Sequence, residues 1–397
     1  MKHFVAVALV LGATATTARA EPEFAIREGL PCSACHVNRT GGGKRNAFGV
    51  LYGQTVMPVW NIGWTPPAEG EGRERRGLIV DPHAGDYISF GLDFRAQNLT
   101  TFSAHTVTPS GKDNYLPASN TFRIPVANLY AEMSLFGDNL VAYIDETVGP
   151  EGASMREGFV MYQNLPWGLY IKAGRILLPY GVRLPDDTIF VRDMTGFNYA
   201  NQDLGGEIGF EKGPLFGALA VTNGTQGGTD NNLSKQVTGT IGALWRKLRL
   251  GLSYSWADGT TDQAQAVRHV GGAFAGLGIG RLSLLAEGDF VRDLSGPGSA
   301  APPTGTTPAP TTVKWQWAWY SEADLLLYRG INLRLAFDYQ DPDLSVANDQ
   351  RVRYTAALEV APVAFLRVGV FYYLRRDIPQ NVAGNQDQLI VQVHGFL

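Results

Sequence analysis

Ile331-Asn332-Leu333-Arg334-Leu335-Ala336-Phe337-Asp338-Tyr339 alternates without a break. Ile331, Leu333, Leu335, Phe337 and Tyr339 take one face, and Asn332, Arg334, Ala336 and Asp338 take the other. That period of two belongs to an extended strand, whose successive side chains point to opposite sides. Further along, Val352, Tyr354, Ala356, Leu358 and Val360 alternate with Arg351, Arg353, Thr355, Ala357 and Glu359 in the same way. A soluble sandwich would put the apolar face in its core, whereas a membrane barrel turns it toward lipid and lines the lumen with the polar one. One strand fits either arrangement, so the whole set has to decide.

Alternating runs follow one another from 86–97 to 387–397. They number about sixteen and most are about ten residues long, an even count and a strand length that suit an outer-membrane barrel. Short connections such as Phe136-Gly137-Asp138, Lys212-Gly213-Pro214 and Tyr328-Arg329-Gly330 alternate with long ones such as 98–121, 177–202 and 292–312. Barrels of this kind have short periplasmic turns and long outer loops. Trp245, Trp256, Trp315, Trp317, Trp319 and Tyr372 lie near strand ends, where interfacial girdles form. The predicted fold is all-β: an antiparallel transmembrane barrel of about 16 strands, preceded by a small, partly helical segment.

The start of the chain is different. Lys2, an apolar run from Phe4 to Gly12, and Ala18-Arg19-Ala20 read as a secretory signal over 1–20. Its removal leaves 31 basic residues against 37 acidic ones, which argues against a nucleic-acid binder. The predicted domains are a signal peptide 1–20, a cofactor-binding segment 21–63, a Pro/Gly-rich linker 64–85 and the barrel 86–397.

Cys32-Ser33-Ala34-Cys35-His36 contains the only two cysteines of the chain. Two thiols three positions apart with a His directly after them is the spacing that attaches a c-type haem. Cys32 and Cys35 would form the thioethers, and His36 would supply the proximal iron ligand. A disulfide, a redox-active pair and a zinc site are the alternatives. The first would close a very small loop and stabilise little; the second lacks a neighbouring βαβ pattern; the third needs more ligands. Met57 is the candidate distal ligand, with His83 and His105 as alternatives, while His269 and His394 fall on strands. Gly41-Gly42-Gly43 suggests a tight turn at the haem face. Lys44 and Arg45 after it are read as a solvated basic turn or as partners of the haem propionates.

Gly29-Leu30-Pro31-Cys32-Ser33-Ala34-Cys35-His36-Val37-Asn38, followed by Thr40-Gly41-Gly42-Gly43-Lys44-Arg45-Asn46, resembles the start of exported proteobacterial proteins that fuse an N-terminal monohaem cytochrome c motif to a porin-like outer-membrane barrel. Tyr170 to Gly181 is similar to a strand-and-loop motif of phosphate-selective-type porins. The resemblance implies one covalent haem c and a place in the cell outer membrane, with the haem segment on the periplasmic side. It implies architecture more than activity. Barrels of this kind also tend to end in an aromatic residue, and here Phe396 is penultimate.

Two functions follow. One is electron transfer at the envelope, with a periplasmic donor and another cytochrome as partners. A single haem cannot bridge a hydrocarbon layer of about 30 Å by itself. The other is a general or weakly anion-preferring porin in which the haem segment is a plug, sensor or structural element. Lys172, Arg175, Arg334, Arg353 and Arg367 would favour anions; Asp145, Glu287, Asp338 and Glu359 argue for a mixed, balanced lining. No distal His-Arg pair at a recognisable spacing suggests a haem enzyme, so no enzymatic activity is expected. A homo-oligomer is compatible with either reading.

Overall fold

The computed structural model describes residues 22–62, 79–103, 117–149, 152–199, 201–230, 232–261, 264–297, 310–378 and 385–397. The signal segment, most of the linker and His105 lie outside the described residues. Sixteen long strands, β2 (Ile88–Phe102) to β17 (Gln388–Phe396), each pair antiparallel with the next. The pairing of β17 with β2 closes the ring. A two-residue strand, β1 (His83–Ala84), folds back on the start of β2. All sixteen predicted runs correspond to strands. Several are longer than predicted toward the long loops, as in β3 (Pro117–Leu135) and β12 (Leu282–Pro297).

The faces are those of a membrane barrel. In β14 (Ile331–Asp341), Asn332, Arg334 and Asp338 are buried, while Leu335 is 53% exposed. On β10 (Leu248–Asp258), Leu250, Leu252 and Tyr254 face outward, and Arg249, Ser253 and Ser255 face in. Apolar side chains thus cover the exterior and charged ones fill the interior, the inverse of a soluble core. Trp167, Trp245 and Tyr328 stand exposed beside short turns, and Trp315 and Trp319 toward the other end of β13 (Thr312–Tyr328).

Two segments enter the lumen. The first is the N-terminal one, which carries α1 (Pro22–Glu28), a 3-10 turn at Cys32–Ala34 and α2 (Ala47–Thr55). It reaches wall strands around the ring. Lys44 pairs with Glu132 of β3 at 2.9 Å, Asn38 bonds Glu157 of β5 (Gly152–Leu165), and Arg39 pairs with Glu211 of β7 (Gln202–Lys212). Arg249 of β10 donates to Leu30 O, and Arg334 of β14 pairs with Glu23 at 3.1 Å. Val59 N and Trp60 N donate to Ala361 O and Pro362 O, and Gly29 packs on Arg246, so this segment lies at the short-turn end. The second is the long connection between β6 (Leu169–Leu177) and β7. It folds inward, carries α3 (Phe190–Thr195) and packs on β12, β13 and β14.

Phe396, the penultimate aromatic, points into the barrel. It is 2% exposed and faces inward, with its ring 4.4 Å from the Arg45 guanidinium and close to Gly53. Its place in the alternation sets that direction, because Val391 and Val393 take the outer face.

Candidate functional site

Between the two inserted segments lies a cavity of about 860 Å³, within the range of ligand-binding sites. Its floor is the turn that carries Cys32, Cys35 and His36. Asn46 caps α2 by accepting from Gly49 N at 3.0 Å, and its amide donates to Ser33 O and Ala34 O, which ties the helix start to the cysteine turn. The turn closes through Val37 N to Lys44 O at 3.1 Å. Between these two residues Gly41, Gly42 and Gly43 all have positive φ, at 94°, 81° and 65°. A side chain there would collide with its surroundings. A Cβ on Gly41 would stand 3.3 Å from Cys32 Sγ, and one on Gly42 would stand 2.7 Å from the Tyr199 ring.

The roof is the inserted loop. Tyr180 Oη donates to Asp289 at 2.7 Å, Gly181 N to Ser253 at 2.9 Å, and Arg192 pairs with Glu287. Arg95 of β2 holds Pro185 O at 2.7 Å. Asp186 receives bonds from the Thr188 hydroxyl and N–H and from the Tyr373 hydroxyl, with Arg353 at 3.8 Å. Burial pushes the Asp186 carboxyl up, but these partners outweigh it and hold it below the ordinary aspartate range.

Among the described residues, thirteen arginines, no lysine and six carboxylates line the cavity. Arg95, Arg123, Arg351, Arg353, Arg367 and Arg375 come from β15 (Gln350–Val360), β16 (Leu366–Ile378), β2 and β3, which with β17 form one contiguous stretch of wall. The balanced lining expected from the sequence is therefore not what the cavity presents. Of the carboxylates expected to balance it, Glu359 lines the cavity; Asp145 and Asp338 stand behind the lining, paired with its Arg156 and Arg353, and Glu287 pairs with Arg192 outside it. Lys172 likewise lies outside it, paired with Glu207 at 3.0 Å. Arg334 sits among four carboxylates, those of Glu23, Glu322, Asp324 and Glu359.

Cys32, Cys35 and His36 all line the cavity. The cysteines are not joined to each other. Burial pushes the Cys35 thiol up to about 12, Arg45 opposing only in part, so the free thiol is protonated at neutral pH. Among the described residues, no trio of His, Cys, Asp or Glu ligand atoms gathers at these cysteines. The donor set of two thiols and an adjacent imidazole, over a glycine cradle that puts no side chain of its own on the Cys32 sulfur, fits a covalent haem. Cys32 and Cys35 would hold it and His36 would ligate the iron.

Met57 is not brought to this cavity. It is 5% exposed in a buried cluster with Phe24, Cys35, Tyr52, Ala361 and Phe396. His83 is paired with Asp81 at 2.5 Å, away from the lumen. His269 bonds Tyr254, whose ring faces outward. His394 does line the cavity, with Nε2 3.0 Å from Asp93. Lys44 and Arg45 are buried and not a solvated turn; Lys44 is engaged by Glu132. Sequence reasoning missed Arg183 and Arg249. The alternation of β10 places Arg249 on the inner face, but nothing local marks Arg183.

No family model and no curated protein matches the chain. Among solved structures it is similar to the outer membrane channel DcaP of Acinetobacter baumannii, at 11% identity and a TM-score of 0.57, over 78% of this chain and 97% of that one. In-vitro folded OmpT, an outer membrane protein of Vibrio cholerae, aligns at 10% identity and a TM-score of 0.55, over 78% and 97%. Salmonella typhi OmpF, in complex with daunomycin, aligns at 14% and 0.52, over 79% and 98%. At such identities the likeness is one of fold, that of a closed 16-stranded porin-like barrel.

Proposed function

We propose that the chain is an outer-membrane channel of porin type that prefers anionic solutes. The observation that supports this reading most is the lumen cavity, where arginines outnumber carboxylates by about two to one inside a chain that is acidic overall. Fixed charges on low-dielectric walls focus the field and raise the local concentration of counter-ions. The apolar exterior and the likeness to outer-membrane barrels support the location. Reversal potentials of the purified protein in planar bilayers under a potassium chloride gradient test the reading. The expected sign is that of chloride preference; cation preference sinks it.

A second reading is favoured by Cys32, Cys35 and His36 opening onto that cavity. We propose that they carry one haem c and that the protein takes part in electron transfer with a periplasmic donor and a further cytochrome. When bound, the haem supplies one-electron exchange. The chain supplies two thioether anchors, the proximal imidazole and a cationic surround. A pyridine haemochrome spectrum typical of c-type haem is expected from the wild type and lost in Cys32→Ser/Cys35→Ser. A wild-type protein without covalent haem ends this reading and leaves the channel reading standing.

A further inference from the structure

One buried guanidinium contacts the Cys32 sulfur, and the stem of a second buried arginine passes beside the same turn. Arg249 brings Nη1 to 3.6 Å from the Cys32 sulfur and donates from Nη2 to Leu30 O at 2.9 Å. Arg183, on the inserted loop, donates to Leu178 O at 2.6 Å and to Asn198 O at 3.3 Å. Its Cγ lies 3.7 Å from the point where a Gly41 Cβ would stand, and the Cys32 sulfur lies 3.3 Å from the same point. Arg249 is 8% exposed and Arg183 6%, and both line the cavity.

Several other buried cations have carboxylate partners: Lys44 has Glu132, Arg192 has Glu287, and Arg353 has Asp338. Among the described residues, neither Arg183 nor Arg249 has a carboxylate oxygen within 4 Å. Burial lowers the Arg183 pKa, which marks the cost of keeping that charge desolvated. A buried charge without a counter-charge is expensive, so two of them beside the turn of residues 32–41 call for a role.

We propose that Arg183 and Arg249 are fixed charges that raise the reduction potential of the haem held through Cys32. The inference rests on the haem reading above. Reduction takes one electron from an external donor, converts ferric to ferrous iron and lowers the charge of the haem by one; no bond forms or breaks. Cations at short range in a low-dielectric interior therefore favour the ferrous form. Burial and contacts to the sulfur side of the cofactor are recognised means of setting such potentials. The two arginines are positioning residues, one on the wall and one on the inserted loop.

Spectroelectrochemical titration of the full-length protein in detergent tests this. In Arg249→Leu the ferric-to-ferrous ratio at a fixed applied potential is expected to rise about tenfold, which is 59 mV for a one-electron couple. Arg183→Gln is expected to shift the same way. Its amide still reaches backbone carbonyls without the charge, so it decides the matter where Arg249→Leu fails to fold. Arg249→Lys is expected to stay near the wild-type potential. Covalent haem with an unchanged potential in Arg249→Leu and Arg183→Gln overturns the proposal. So does an equal fall in Arg249→Lys, which would point to packing and not to charge. Absence of a c-type haemochrome from the wild type overturns the haem reading beneath it.

Discussion

Gly43 shows how much one residue can carry at the cavity floor. Its φ of 65° belongs to the left-handed region, and the Tyr143 hydroxyl occupies the place of a Cβ. That hydroxyl also accepts from Lys44 N at 3.0 Å, so a side chain would disturb a second bond. Gly43→Ala is expected to weaken docking of the 22–62 segment by about 1–3 kcal/mol. Trypsin should then release the segment faster while the barrel stays resistant; equal cleavage rates would contradict this. The turn was legible as three glycines in a row. What they abut was not, because Tyr143 and Tyr199 lie far along the chain from it. Asp186 gives the roof a dependence on pH. Its folded pKa is lowered, so its contribution is fully present above the ordinary aspartate value of 3.8 and is lost as pH falls through the lowered value. Acidification below 3.8 should therefore loosen the inserted loop and raise open-channel current noise. Asp186→Asn should show that noise already at neutral pH and lose its acid step. A variant as quiet as wild type at neutral pH would count against the role.

Elements read well where a local pattern fixes them. Each strand announces itself by alternation, and the inversion of faces at Leu335 and Arg334 distinguishes lipid from core. Strand ends read less well, because pairing can extend past the bilayer into loops where no apolar face is needed, as β3 and β12 do. The direction of Phe396 follows from the parity of β17 and not from its place at the terminus. The outer face of β10 offers a direct check. Leu252 is 61% exposed and stands opposite Ile241 and Ala273 on the neighbouring strands. Leu252→Arg puts a charge on the apolar belt and is expected to cost about 2–4 kcal/mol if the site is near the midplane. Gln388→Lys on β17 faces the cavity and should be tolerated. Heat-modifiable mobility in gels after refolding measures both. Equal folding yields for the two variants would mean that the faces are wrongly assigned.

At the scale of the whole molecule, the function depends on what the lumen contains, and that was the least legible part of the sequence. The arginines of the cavity are spread from Arg39 to Arg375, and only ring closure and two insertions gather them. The carboxylates that balance some of them, Asp145 at Arg156 and Asp338 at Arg353, stand just behind the lining, and no one-dimensional pattern encodes that. The N-terminal segment carries two of the thirteen, Arg39 and Arg45, while the walls and the inserted loop carry the rest. Obstruction and selectivity should therefore separate. Deleting 22–62 while keeping residues 1–21 removes the contacts across the short-turn end, including Lys44 with Glu132 and Glu23 with Arg334, but leaves every barrel strand and its pairing. Arg334 keeps Glu322, Asp324 and Glu359, so the wall beneath the missing segment retains its charge compensation. Single-channel conductance of the deletion variant should rise several-fold over the full chain, with chloride preference retained. That preference should fade from 0.1 M to 1 M salt, as the Debye length shrinks from about 10 Å to about 3 Å. Unchanged conductance would show that the segment does not obstruct the lumen. Loss of preference at 0.1 M would show that the wall arginines are not what selects.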